Sequence, residues 1–318
     1  MCALQDGTRG FGLSGAAVTT STSMASTSRP LDALAVSVAI VLCLTWGVNQ
    51  VAVKLALPEI PPFIQATVRS VGAALIVLVW ARLRGVPLLR QDGTLWPGLL
   101  AGTLFGLEFV LIYQGLVWTT ATRAVLFIYL MPFFVVLGAR WLLPADRFAP
   151  SQWLGLALSF AGMMVAFGLP TPAADPRQML GDLMMVIAAV GWAATTLTIK
   201  ASSLSAAPFE KTLLYQLVVS IPILALAALL ARESVLVPPS AMALGSLAYQ
   251  TVWVVGVTYL AWFALIKRYS ASRLSAFTFL TPIFGVVAGY VVLDEPLTPA
   301  FAAAVALVAL GIVMVNRR

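Results

Sequence analysis

The chain has 318 residues, of which 61% are hydrophobic and only 10% are charged, and its mean hydropathy is +0.97. A soluble protein carries about 25% charged residues, and one of this size could not bury so much apolar surface. The net charge of +7 comes from basic residues scattered singly or in pairs without a basic stripe, which argues against a nucleic-acid partner. We therefore predict an integral membrane protein surrounded by lipid.

Histidine is absent, and the chain has two cysteines, Cys2 and Cys43. Neither a zinc site nor a disulfide framework can be assembled from this set, so we expect no metal and no cofactor. A membrane-embedded enzyme is disfavoured for the same reason, because it would need a constellation of catalytic side chains.

Residues 1–30 differ from the rest of the chain, with ten Ser or Thr and few large apolar side chains. Such a segment cannot bury enough apolar surface to fold, so we expect a disordered N-terminal tail. Both Met1 and Met24 are candidate start residues.

Ten apolar runs follow, each close to the roughly 20 residues that a helix needs to cross about 30 Å of hydrocarbon. They are apolar at consecutive positions rather than at alternate ones, which predicts helices and not barrel strands. The predicted fold is therefore an all-α integral membrane protein with ten transmembrane helices. The predicted spans are 33–53, 63–82, 95–117, 124–142, 150–168, 180–199, 212–231, 241–266, 273–293 and 299–315.

The loops between the spans are short, and their Lys and Arg residues are unevenly distributed. Fourteen lie on the side that holds both termini and four lie on the other side. Because cytoplasmic loops carry the excess of basic residues, both termini are predicted to be cytoplasmic. The expected location is a bacterial inner membrane.

Spans one and six each carry an indole and two polar side chains on one helical face, at i, i+3 and i+4 spacing. This pattern predicts a lining that binds an organic solute, with hydrogen bonding between helices as the alternative. Spans seven and eight offer weaker candidates with aromatic and amide side chains. The candidate substrate-binding residues of these four spans are Trp46, Asn49, Gln50, Trp192, Thr195, Thr196, Tyr215, Gln250 and Trp253.

Two charged residues lie well inside spans, where a charge costs about 2.5 to 3.5 kcal/mol on insertion scales. Arg69 in span two and Glu108 in span three lie about 9 Å and about 13 Å from the same membrane face. They could form a buried ion pair, or either side chain could extend towards the surface. Alternatively, Glu108 could face a wet cavity and meet a substrate amine or a proton, which makes it a candidate substrate-binding and coupling residue.

Pro132 and Pro282 lie midway along spans four and nine, where each removes a backbone donor and is expected to bend its helix. We predict that these two helices are moving gates.

Gly98, Gly102 and Gly106 recur every four residues in span three, which lets a neighbouring helix approach closely. This spacing favours packing inside the molecule, and we expect a monomer.

The two halves of the chain resemble each other in sequence. Residues 121–138 agree with residues 271–288 at seven of eighteen positions, at an offset of 150. Trp46 aligns with Trp192 at an offset of 146. This similarity predicts a repeat, although a duplication kept only for packing would give the same pattern.

The repeats are expected at residues 31–168 and 180–316, with five spans each. An odd number of spans means that the second repeat enters the membrane from the opposite face. A pseudo-two-fold axis in the membrane plane can exchange two such inverted copies, so a cavity between them can open to either face. The repeat therefore predicts alternating access at a central cavity.

Several motifs occur in a recognisable order. Span one has Trp46-Gly47 followed by Lys54, span two has P-P-F-I-Q-A-T-V-R-S-V-G-A-A-L, and D-E-P-L at 294–297 precedes a glycine-bearing last span. Together with the prolines of spans four and nine, they resemble the EamA-type drug/metabolite transporters over about residues 33–316. The resemblance implies a ten-helix secondary carrier of small metabolites, and several members export amino acids. This chain has Ala145-Asp146 where a Gly-Glu pair is usual.

We therefore expect a secondary transporter that exports small-molecule substrates, above all amino acids with apolar or aromatic side chains. No Gly-Lys dipeptide occurs, so the chain lacks the phosphate-binding loop of an ATP-driven pump. A channel or facilitative pore is the alternative. It is less favoured because two inverted halves are visible and no charged ring or carbonyl filter is.

Overall fold

The computed structural model describes residues 31–143, 146–169, 172–173, 175–293 and 299–317. Within these ranges nine helices are long and apolar enough to cross a membrane, and a tenth apolar helix, Ala300–Asn316, is slightly shorter. The predicted tail at 1–30, Ala145 and the D-E-P-L motif at 294–297 lie outside the described residues.

Ten spans are formed, three of them from more than one helical segment. The α-helices are α1 (Ala33–Ala56), α2 (Pro62–Leu83), α3 (Leu95–Trp118), α4 (Ala121–Ile128), α5 (Met131–Leu142), α6 (Pro150–Phe167), α7 (Pro176–Ala201), α8 (Phe209–Leu230), α9 (Ala241–Ala248), α10 (Tyr259–Arg268), α11 (Ala271–Phe277), α12 (Leu280–Leu293) and α13 (Ala300–Asn316). A π-helical segment, Tyr249–Thr258, joins α9 to α10 in span eight. The ten predicted spans coincide with these elements apart from a few residues at their ends, which confirms the predicted fold class.

Several helices begin at residues that suit a helix start. Asp32 accepts a hydrogen bond from the backbone N–H of Ala35 at 2.8 Å and caps α1. Pro62, Pro150 and Pro176 occupy the first position of α2, α6 and α7, where a backbone N–H has no partner within the helix. The start of these four helices is therefore encoded locally.

Spans four and nine are each broken just before a proline. In span four, α4 ends at Ile128 and α5 begins at Met131, with Pro132 in its first turn. In span nine, α12 begins at Leu280, with Pro282 in its first turn. A proline lacks an N–H and clashes with the carbonyl four residues earlier, so each helix ends and restarts here. The helix is therefore interrupted at both positions where a bend was predicted.

Helix packing across the two halves follows a paired pattern. The second spans, α2 and α8, pack against each other, and so do the fifth spans, α6 and α13. α3 packs on α7, and the corresponding segments of span eight pack on α1. α1 packs on α12, and α7 packs on α4 and α5. Exchanging the two halves leaves this list of packed spans unchanged.

The glycines of span three lie against α8. A Cβ at Gly102 would lie 2.6 Å from the backbone oxygen of Tyr215, and a Cβ at Gly106 would lie 2.9 Å from Cδ1 of Ile223. Gly98 lies against the ring of Tyr215. The stripe therefore packs α3 onto α8 inside the molecule, as its spacing predicted.

Large apolar side chains remain exposed along the spans, among them Leu75, Val79, Leu107 and Leu226. A soluble monomer seldom exposes large contiguous apolar patches. Lipid is the solvent that suits these surfaces, so the chain is a multi-pass integral membrane protein.

The loops fall on two sides of the bundle. On the side where α1 begins and α13 ends, called the terminal side, the Tyr269 hydroxyl donates a hydrogen bond to Asp32 at 2.7 Å. On the other side, called the opposite side, the Ser240 hydroxyl donates to Glu59 at 2.8 Å. Both contacts join one half of the chain to the other.

Candidate functional site

Trp46 connects span one to span eight. Its indole N–H donates a hydrogen bond to the hydroxyl of Thr258 at 2.9 Å. Its ring meets Tyr259 and Trp262 edge to face, with centroids 6.0 Å and 5.2 Å away. The predicted site residue Trp46 therefore lies in a contact between the halves.

The π-helical segment lies beside Trp46. Gln250 in this segment is fully buried, and neither polar atom of its amide has a hydrogen-bond partner among the residues that the structure describes. The hydroxyl of Tyr249 donates to the backbone oxygen of Thr45 at 3.3 Å. π-Helical segments occur frequently at functional sites, and the corresponding part of α3 is a regular α-helix. The two halves therefore differ at this point.

A row of aromatic rings runs from span eight across α3 to α2. Tyr259 meets Phe105 at a centroid distance of 6.3 Å, and Phe105 meets Phe109 at 4.9 Å. Phe109 meets Tyr113 at 6.0 Å, and Tyr113 meets Phe63 at 5.8 Å. α3 packs closely on α7 and α8 but only slightly on α2. Long side chains therefore bridge the space between α2 and α3.

Arg69 packs against this aromatic row, and Glu108 lies on α3, the helix that carries three of its rings. Both are buried, with exposed fractions of 3% and 6%. The guanidinium carbon of Arg69 lies 4.6 Å from the ring centre of Phe109, while the Nε and Nη2 atoms of Arg69 have no hydrogen-bond partner in the described ranges. Glu108 lies beside Gly191 of α7 and is near enough to Arg69 for electrostatic interaction. Within the described part of the chain no salt bridge joins them, so the ion-pair interpretation is not met.

The candidate residues of α7 are satisfied within their own helix. The hydroxyl of Thr195 donates to the backbone oxygen of Gly191 at 3.0 Å, and that of Thr196 donates to the backbone oxygen of Trp192 at 3.1 Å. The ring of Trp192 lies 6.1 Å from that of Tyr129, which occupies the break in span four. These hydroxyls therefore make no bond between helices.

The other candidates divide into two groups. Asn49, like Gln250, has a buried side-chain oxygen that no described residue hydrogen-bonds. Gln50 is exposed, Trp253 is 45% exposed, and Tyr215 packs on the glycine stripe. The structure places Trp46 against Tyr259 and Trp262 of span eight and Glu108 near Tyr259, and it places Gln250 in the π-helical segment of the same span. Gln50 and Trp253 lie at the surface.

An apolar groove of about 510 Å³ lies between α1, α9 and α12. It is lined almost wholly by apolar side chains, including Val51, Leu55 and Met242, and contains none of the candidate residues. We therefore do not assign the solute to this groove.

A buried ion pair on the opposite side was not predicted. Nε of Arg123 donates to both carboxylate oxygens of Asp182, at 3.0 Å and 3.1 Å, and its Nη2 also bonds to this carboxylate. The hydroxyl of Thr119 donates to the same carboxylate at 2.5 Å. The predicted span six placed Asp182 close to its end, which hid its burial. We call these three residues the opposite-side lock.

Charged side chains also join the halves on the terminal side. Nζ of Lys211 donates to both oxygens of Asp92, each at 2.9 Å, and the hydroxyl of Thr94 donates to Asp92 at 2.5 Å. These contacts, with the Thr94 hydroxyl first, lower the pKa of Asp92 to about 2. Within the second half, Nζ of Lys200 donates to the backbone oxygen of Tyr269 at 2.6 Å, just after α10.

Asp146 is buried. It stands at the position where the EamA-type transporters usually have a glutamate. Its carboxylate accepts hydrogen bonds from the hydroxyl of Ser270 and from the backbone N–H of Ser272 at 3.2 Å. This acid therefore connects the joint after span four to the first turn of α11, although its arm is shorter than that of glutamate.

Ten apolar spans, packed as two exchangeable halves around buried polar and aromatic side chains, define the architecture of a membrane transporter. The family model of EamA-like transporters matches residues 33–168 and 179–317, one match in each half. The chain belongs to the EamA-like transporter family, and the resemblance seen in its motifs is confirmed.

Relatives share most of the chain. A protein named uncharacterized transporter sll0355, from Synechocystis sp., is 29% identical over 86% of this chain and 87% of its own length. The uncharacterized transporter YvbV of Bacillus subtilis is 28% identical over 87% and 90%. A WAT1-related chloroplastic protein of Arabidopsis thaliana is 26% identical over 85% of this chain and 66% of its own length. One crystal structure, 22% identical, covers 89% of this chain and 96% of its own with a TM-score of 0.75, which shows the same fold.

Proposed function

We propose that this transporter exports small organic metabolites, and amino acids in particular, by alternating access at a cavity between two inverted repeats. The single observation that supports this mechanism best is the packing of the spans, which is unchanged when the two halves are exchanged. Two such halves can occupy each other's arrangement at similar energy, so a solute site between them can open to either side in turn.

The contacts at the two sides support the same exchange. On the opposite side, Thr119 at the end of span three donates to Asp182 in span six. On the terminal side, Tyr269 aligns with Thr119 at an offset of 150 and donates to Asp32 at the start of span one. Asp32 stands one helical turn before Val36, which aligns with Asp182 at an offset of 146. Each side thus joins corresponding spans by a hydroxyl and a carboxylate.

The arginines distinguish the two sides. Arg123 completes the opposite-side lock, whereas Arg273, which aligns with it at an offset of 150, forms no salt bridge with Asp32 within the described residues. We infer that the lock is fully formed on one side and partly formed on the other. Transport would open the opposite-side lock while Arg273 closes on Asp32.

The excess of basic residues on the terminal side supports a cytoplasmic position for both termini in a bacterial inner membrane. In this orientation export carries solute from the terminal side to the opposite side. The glycine stripe of α3 is used within the molecule, which supports a monomeric transport unit. Cysteine labelling of Arg84 and Arg232 variants with a membrane-impermeant reagent tests the orientation, since only the Arg232 position should react in intact cells.

Counterflow in proteoliposomes tests the function directly, with a panel of labelled amino acids and with or without a pH gradient. Saturable exchange with competition between amino acids is expected. A continuous conductance would support a channel and would contradict the proposal. Glu108 is the proposed coupling residue, so Glu108→Gln should remove the gradient dependence, and unchanged dependence would reject that role.

A further inference from the structure

The guanidinium of Arg69 has an unused hydrogen-bonding edge. Phe109 covers one face of the group, and a cation–π contact leaves the N–H groups in the plane free. Nε and Nη2, which lie along one edge, are buried and have no partner within the described part of the chain. A buried charge with unmade hydrogen bonds is costly, so a ligand that supplies acceptors would be bound strongly there.

The same edge is occupied in another arginine of this chain. Nε and Nη2 of Arg123 hold the two oxygens of the Asp182 carboxylate side by side. This two-pronged geometry matches a carboxylate better than any neutral acceptor. Arg69 presents the equivalent edge without a protein carboxylate, so a carboxylate is the chemical group that it fits best.

Glu108 places an acidic side chain near Arg69. It is buried on α3, receives no hydrogen bond from the described residues, and does not reach Arg69. Tyr259 lies near both charges and belongs to the row of rings that contains Phe109. A solute with a carboxylate and an ammonium on neighbouring atoms would bridge Arg69 and Glu108, and its side chain would meet the aromatic rings.

We propose that Arg69 binds the carboxylate and Glu108 the ammonium of a zwitterionic solute held between α2 and α3. The inference rests on the proposed function and adds the recognition chemistry. A zwitterion has no net charge, and the two protein charges also sum to zero, so neither partner introduces an excess charge into the membrane interior. A solute that lacks either charged group would leave one protein charge unpaired.

Three probes test the proposal in wild-type proteoliposomes: L-phenylalanine, phenethylamine without the carboxylate, and 3-phenylpropionate without the ammonium. We expect saturable counterflow of labelled L-phenylalanine. The other two compounds should inhibit this counterflow about 10- to 100-fold less well than unlabelled L-phenylalanine does, since each lacks one charged hydrogen-bonding group. Arg69→Gln should weaken L-phenylalanine binding by a similar factor and remove the discrimination against phenethylamine. Glu108→Gln should remove the discrimination against 3-phenylpropionate.

Arg140→Gln, a substitution of an exposed arginine near the end of α5, is the matched control and should leave all three probes unchanged. A variant that merely misfolds would lose all probes together, and size-exclusion chromatography with Arg69→Lys as a charge-preserving variant identifies that case. If Arg69→Gln is folded and still discriminates among the probes as Arg140→Gln does, the carboxylate role is overturned. Wild-type exchange of other metabolites without L-phenylalanine recognition would overturn the zwitterion site alone, whereas no exchange of any solute would contradict the proposed function.

Discussion

Arg123 and Arg69 are both buried, but their charged groups have different surroundings. Arg123 is satisfied by Asp182, so the two charges and their N–H groups compensate each other inside the bundle. Arg69 is also buried, but it packs on an aromatic face, and its Nε and Nη2 have no partner among the described residues. The first arrangement joins two helices, and the second leaves N–H donors that a ligand can occupy.

The sequence identified the buried charges more readily than their partners. Arg69 and Glu108 stand alone in long apolar runs, so their depth was predictable from the residue count. The partnership of Arg123 with Asp182 was not, because it depends on which span ends become neighbours. Likewise, the separation between Arg69 and Glu108 follows from the packing of α3 on α7 and α8, which span lengths do not specify.

The hydrogen bonds of Asp92 on the terminal side make the free energy of unfolding depend on pH. Hydrogen bonds from Thr94 and Lys211 lower its pKa from the ordinary value of 3.8 to about 2. A group with a lowered folded-state pKa stabilises the protein above its unfolded pKa and loses that contribution as the pH falls through the folded pKa. Asp92→Asn should therefore lower the Tm in detergent at pH 6, and its deficit should shrink between about pH 4 and about pH 2. An equal deficit at pH 6 and pH 3 would contradict this role.

At the scale of the helices, local signals determined most boundaries. The first turns of α2, α6 and α7 each start with a proline, and the breaks in spans four and nine follow from Pro132 and Pro282. The π-helical segment Tyr249–Thr258 has no comparable local signal. It lies where Gly72 of α2 admits the side chain of Thr251, so neighbouring packing accompanies the wider backbone.

The glycine stripe predicts a specific stability change. Gly102→Ala should destabilise the protein by about 1 to 3 kcal/mol, because its Cβ would overlap the backbone of α8, which cannot move easily. Gly245→Ala is the matched control, since open space surrounds Gly245 in α9 and alanine favours a helix by about 0.5 to 1 kcal/mol. Unfolding in detergent measures both variants. A Gly102→Ala variant as stable as Gly245→Ala would show that α3 and α8 are not tightly packed.

The broken helices predict a kinetic effect. Replacing Pro132 or Pro282 with alanine allows span four or nine to form a continuous helix, so the proposed gate should move more slowly. We expect a lower counterflow rate with a nearly unchanged half-saturation concentration. Pro150→Ala, at the first position of α6, provides a control that should retain the wild-type rate. Unchanged rates in both Pro132→Ala and Pro282→Ala would reject the gating role.

At the scale of the whole molecule, the sequence repeat predicted which spans correspond, but it did not predict which of the two sides is closed. Similar residues at offsets of 146 and 150 indicated two equivalent halves. A sequence repeat is the same in every conformation. It could not show that Arg123 is paired while Arg273 forms no salt bridge with the residues that the structure describes. That difference arises from the arrangement of the halves and requires the structure.

Weakening the opposite-side lock should shift the balance between states. Asp182→Asn removes the charge that holds Arg123, so the opposite side should open more often without solute. Asp175→Asn, at the residue that caps the start of the same helix and lies outside the lock, is the matched control. A cysteine at Glu108 in a background lacking Cys2 and Cys43 reports access. Its labelling by an impermeant reagent from the opposite side should rise in Asp182→Asn alone, and equal labelling in both variants would reject the lock.

Spin-label distances in proteoliposomes test alternating access between the halves most directly. In a background without Cys2 and Cys43, one label pair at Val117 and Met179 flanks the opposite-side lock. A second pair at Leu34 and Arg268 flanks the terminal-side contact, and all four positions are exposed. On addition of a transported solute, the two distance distributions should change in opposite directions, one lengthening as the other shortens. Distances that stayed fixed during active exchange, or lengthened together, would contradict alternating access.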